Sequence, residues 1–188
     1  MKTFIASTVA VSAFASAASA DITITLTNQT FAGFAFNSIV DYSLFNVVGT
    51  LTGASINVTL NASTAYTYAD DLCVYVDVLP LSTGGKLQIG GFSNLSAAQR
   101  YFWPNGGSGV PGTTSIGSVS LNTALAFTGN AAVDGLIYIG NGYGAAGTSG
   151  TWTGTVTLFG VDAVAIPAPG AVALLGVAGL AASRRRRA

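Results

Sequence analysis

Residues 55–62 read SINVTLNA, and the alternation within this stretch decides the fold. Ile56, Val58 and Leu60 are apolar, and Asn57, Thr59 and Asn61 are the polar residues beside them. A pleated strand points successive side chains to opposite faces, so a period of two gives one face to a core and the other to water. The same period recurs on both sides. Ile22, Ile24 and Leu26 alternate with Thr23, Thr25 and Thr27; Trp152, Val156 and Leu158 alternate with Thr153, Thr155 and Thr157. Leu72, Val74, Val76 and Val78 alternate with Cys73, Tyr75 and Asp77. Threonine suits the polar face because its branched Cβ favours extended backbone. The glycine-rich breaks STGGK, NGGSGVPGT, TGNAAVDG and GNGYGAAGTSGT separate these runs. Short alternating strands at this spacing predict an all-β domain, an antiparallel β-sandwich or jelly roll. Apart from an N-terminal signal helix and a short C-terminal transmembrane helix, NLSAAQRY, residues 94–101, reads as helical, as one or two turns capped by Asn94 or Ser96.

The charges are segregated. The chain holds seven Lys+Arg and seven Asp+Glu, with no His and no Glu. Lys2 and Arg184–Arg187 occupy the ends, and all seven aspartates lie between them with only Lys86 and Arg100 as cations, which leaves that middle at −5. An acidic body without a basic patch argues against nucleic acid, whose phosphates need cations.

Both ends read as export signals. MKTFIASTVAVSAFASAASA has a positive start at Lys2, an apolar stretch from Phe4 to Ala15 and the small-residue site Ala18-Ser19-Ala20. These are the parts of a secretory signal peptide, residues 1–20, cut between Ala20 and Asp21. At the other end, every residue from Ala171 to Ala182 is apolar or Gly. A helix of that length spans about 18 Å against a hydrocarbon core of about 30 Å, so it is a short transmembrane helix. Arg184, Arg185, Arg186 and Arg187 hold it by reaching the headgroups and staying cytoplasmic, which makes them a stop-transfer signal.

Pro167-Ala168-Pro169-Gly170, then an apolar helix, then an arginine cluster, is a tripartite tail that resembles the PEP-CTERM sorting signal of Gram-negative bacteria; Ala168 stands where that motif has Glu. The resemblance covers about the last 23 residues, here placed within a tail of residues 163–188. It implies recognition by an exosortase, a membrane-embedded cysteine transpeptidase. It also implies an inner-membrane-anchored precursor that is passed to the cell surface or extracellular matrix. The mature domain is then residues 21–162, long enough for one core.

Within that domain no motif names a reaction. Gly142-Tyr143-Gly144-Ala145-Ala146-Gly147 matches G-x-G-x-x-G, but a strand-like stretch follows where a dinucleotide site needs a helix, so it reads as a hairpin connection. Without His, nucleophilic triads and His-based zinc sites are excluded, and the single Cys73 reads as a packed strand residue. Asp70 and Asp71 point to opposite faces if they lie on a strand, which disfavours paired-acid glycoside chemistry even with Asp41 or Asp134 brought in by the fold. A weak calcium site is conceivable from Asp70, Asp71, Asp134 and loop carbonyls. RYFWPN concentrates aromatics, and Tyr101 and Trp103 are candidate sugar contacts for an extracellular polysaccharide. The expectation is a surface-directed structural or adhesive protein without enzymatic activity or cofactor, with a carbohydrate-binding module as the alternative.

Overall fold

A computed structural model describes residues 21–77, 84–93 and 96–166. The signal peptide, the tail from Pro167 and the cap candidate Asn94 lie outside the described residues. The described residues form nine strands: β1 (Ile22–Ala32), β2 (Phe36–Ser38), β3 (Phe45–Thr64), β4 (Leu72–Asp77), β5 (Leu87–Ile89), β6 (Gln99–Tyr101), β7 (Thr114–Thr128), β8 (Leu136–Asn141) and β9 (Ser149–Ala165). Among the described residues, helix is confined to a 3-10 turn, Ala69–Asp71, and one short turn, α1 (Ala131–Asp134). Among the described residues no helix is long and apolar enough to cross a membrane.

The strands form two sheets, β1-β9-β3-β7 and β2-β8-β4-β5-β6. The chain is all-β. The alternation described above places Ile56, Val58, Leu60, Trp152, Val156 and Leu158 in one buried cluster, with Leu72, Val74 and Val76 of the other sheet beside them. Their polar neighbours Asn57 and Thr153 face water. The long β3 and β9 pair from Phe45↔Ala165 to Thr64↔Ser149, interrupted by bulges near Gly53 and Leu60.

Five features depart from the sequence reading. First, β4 has no wet face: Cys73 and Tyr75 are fully buried as well, packed with Tyr138 in a second cluster. Phe36 meets Tyr75 edge-on at 6.3 Å, which covers the side a two-layer pattern leaves open. Second, 99–101 is extended, not helical, because Gln99 N–H and Ala98 N–H bond to the carbonyls of Lys86 and Gly85 and draw the segment alongside β5. Third, β5 and β6 pair parallel, the exception in otherwise antiparallel sheets. Fourth, the stretch 142–148 is not a hairpin loop; it carries the chain from β8 in one sheet to β9 in the other. Fifth, the domain does not stop at 162, since β9 pairs through Ala165 and Ile166 N–H donates to Leu44 O.

Candidate functional site: an aromatic cleft

The 3-10 turn Ala69–Asp71 is the anchor of the site. Two buried indoles fix its ends: Trp152 Nε1–H donates to Ala69 O at 3.1 Å, and Trp103 Nε1–H donates to Leu72 O at 2.7 Å. Its remaining backbone groups are met from three other loops. Ala69 N–H bonds to Ser108 O, Gly91 N–H to Asp70 O, and Gly142 N–H to Asp71 O. Buried backbone polar groups need such partners, so each bond also ties a loop to the turn.

Those ties converge four strand ends on one cleft of about 330 Å³. Tyr66 and Tyr68 follow β3, Phe92 follows β5, Phe102 follows β6 and Tyr143 follows β8; Asp70, Asp71 and Gly91 complete the lining. Left-handed backbone at Ala65 and Tyr66 turns the chain out at the end of β3. The rings are open to solvent: Tyr66 is 79 % exposed, Phe92 76 % and Phe102 61 %. Phe92 and Tyr143 pack edge-to-face at 6.0 Å. Tyr143 is placed by Asn141, whose Oδ1 accepts its N–H. Close approach of two glycines allows this arrangement, since a Cβ on Gly91 would stand 2.6 Å from Gly142 Cα.

The two acids have different work. Asp71 is 3 % exposed, and its carboxylate oxygens accept Tyr68 N–H at 2.8 Å and Phe92 N–H at 3.1 Å. It joins two of the aromatic loops. Burial pushes its carboxyl up to about 6, against the lowering effect of the Tyr68 hydrogen bond, with neighbouring Asp70 adding to the rise. Asp70 is half-buried, also raised by burial, and receives no hydrogen bond from another residue among those described. Its carboxylate lines the cleft and accepts its own backbone N–H. Arg100 is engaged elsewhere: it donates to the carbonyls of Ser93, Gly91 and Phe92 at 2.8–2.9 Å, and its guanidinium lies 4.7 Å over the Phe102 ring.

The sequence-based site needs correction. Trp103 is only 4 % exposed and presents no face to a sugar; it is a core residue that pins the turn. Tyr101 is half-buried and its hydroxyl is occupied, donating to Gln99 Oε1 and accepting Asn122 N–H. Phe102, between them, is the exposed ring of that run. Asp70 and Asp71 lie on a turn instead of a strand. Asp134 does not join them in a cation site: among the described residues no three acids or thiols come together to hold a metal. It closes the turn before β8 by accepting Thr128 N–H, Thr128 Oγ1–H and Asn130 N–H. Burial pushes its carboxyl up, but those hydrogen bonds and the Lys86 charge outweigh it and hold it below the usual range. Missed altogether were Tyr66, Tyr68, Phe92 and Tyr143. Each sits within two to four residues of a strand end, in TAYTYADD, GGFSN or GNGYG, where a large ring has no strand face to bury it.

No family model, curated protein or solved structure matches the chain.

Proposed function

We propose that the chain is an exported adhesive protein whose domain, a β-sandwich, holds carbohydrate in the aromatic cleft. One observation carries the reading: five exposed or half-exposed rings from four loops surround the half-buried Asp70 carboxylate, to which no other described residue donates a hydrogen bond. Flat rings stack on the apolar faces of sugar rings, and a carboxylate accepts hydroxyl hydrogen bonds, so the pair suits a saccharide more than an oily ligand. A hydrolytic role is disfavoured because Asp71, the second acid, spends both oxygens on backbone N–H groups and is shut from solvent. The extended sheet edges and the low charge fit a structural setting at the cell surface.

The route to that surface is proposed from the two ends: cleavage after Ala20, anchoring by the apolar run, a stop at Arg184–Arg187, and processing by an exosortase-type transpeptidase at Pro167-Ala168-Pro169-Gly170. The test of the binding reading is a glycan array probed with the wild-type protein and with Phe102→Ala and Tyr66→Ala. Binding that falls at least about tenfold in each variant supports it. Binding untouched by both variants, or absent from every glycan in the wild type, refutes it.

A further inference from the structure

The charge around the cleft selects among saccharides. The lining contributes two aspartates and no cation, and Arg100, the cation packed beneath Phe102, is spent on three loop carbonyls and that ring. The body between the two termini carries a net −5, with two cations against seven acids. A uronic acid entering here meets Asp70 with no cation among the lining residues to pair with, at a cost that rises as water is displaced. A protonated amine meets the reverse. Aromatic faces carry negative charge density and attract ammonium groups, and a carboxylate with free lone pairs forms charge-assisted hydrogen bonds with them.

We infer, resting on the carbohydrate reading above, that the cleft is selective for amino sugars bearing free ammonium groups, with Asp70 as the specificity-determining residue and Phe102, Phe92 and Tyr66 as the surrounding rings. Asp71 does not compete for this role, because Tyr68 N–H and Phe92 N–H already occupy its oxygens. The ligand class is a partly or fully deacetylated glucosamine-type polymer, in which the rings stack and the amines pair with Asp70.

Titration calorimetry on the full-length chain tests this with four probes: a glucosamine hexamer, its fully N-acetylated counterpart, a galacturonate oligomer of the same length, and tetramethylammonium. The pH is held where the amines are protonated and Asp70 is ionised. The glucosamine hexamer should bind about tenfold tighter than the N-acetylated one, and the galacturonate weakest. Asp70→Asn should weaken both hexamers, the glucosamine one by more, and so bring the two within about twofold of each other. Phe102→Ala should weaken both together. Equal affinity for the amine and the N-acetylated hexamer in the wild type overturns the selectivity and leaves the carbohydrate reading standing. An Asp70→Asn ratio unchanged from wild type overturns the role of Asp70. Binding of tetramethylammonium with no oligosaccharide bound overturns both readings in favour of a small cation.

Discussion

Asp71→Asn separates two opposing effects at the base of the cleft. The amide keeps one acceptor oxygen and puts an NH2 in place of the other, so either Tyr68 N–H or Phe92 N–H loses its acceptor and faces a donor. A buried polar group left unmet costs about 1–3 kcal/mol. Against this, the variant removes a carboxylate that the wild type ionises at a cost. Its folded carboxyl is pushed up to about 6 from an ordinary 3.8, chiefly by burial. That difference corresponds to roughly 3 kcal/mol, reduced to on the order of 1–2 kcal/mol because water in the adjoining cleft screens a charge that does not itself touch solvent. Since the folded group holds its proton at a higher pH than the unfolded one, the contribution to stability is fully present below about pH 4 and is lost as the pH rises through about 6. The wild type's advantage, about 1–3 kcal/mol near pH 3.5, should therefore shrink by about 1–2 kcal/mol by pH 7.5. Urea denaturation of both proteins at the two pH values measures this. A wild-type advantage that is the same at both, or larger at the higher pH, refutes the burial argument for Asp71.

Other consequences are read more directly. Trp103→Phe removes the indole donor to Leu72 O from the core, so it should lower unfolding free energy by about 2 kcal/mol while leaving oligosaccharide affinity within about twofold; a large affinity loss at unchanged stability would return Trp103 to the ligand. Gly91→Ala places a methyl against the Gly142 backbone at positive φ and should cost about 1–3 kcal/mol, seen as a lower urea midpoint; no change would mean the two loops separate freely. Burial pushes the Cys73 thiol up, so the folded protein should resist alkylation and show no dimer on non-reducing gels, whereas fast labelling without denaturant contradicts the packing of the second cluster. Intact-mass analysis of the exported protein should find Asp21 at its start, and retained Met1 would refute the signal-peptide reading.

β1, β3 and β9 were legible because each is long enough for its own period to show: Ile56, Val58 and Leu60 are buried where the alternation puts them. The second cluster around Tyr75 was not, since a strand covered on both faces loses the contrast that marks an inside and an outside. The parallel β5–β6 pair was hidden for another reason. Both strands are three residues long, and their pairing is set by partners elsewhere, not by local pattern. The cleft is a purely tertiary feature. Tyr66 and Tyr143 are far apart in sequence and meet only because the backbone of the Ala69–Asp71 turn bonds to the loops around it. The run RYFWPN drew attention to the right loop, but which of its rings faces out depends on Trp103 finding Leu72 O across the chain. Asp70 and Asp71, neighbours in sequence, differ in role because Asp71 is met by backbone donors from two other residues, whereas Asp70 is met by its own backbone N–H.

Chemical-shift mapping tests the binding cleft most directly. The protein is titrated with a glucosamine hexamer, and the backbone amides and aromatic ring resonances are followed. The largest perturbations should fall on Tyr66, Tyr68, Asp70, Phe92, Phe102 and Tyr143, four loops responding together to one ligand, with β7 and the Thr128–Asp134 turn unmoved. Saturable shifts centred on any other surface, or no shifts at millimolar ligand, would contradict a saccharide site in this cleft.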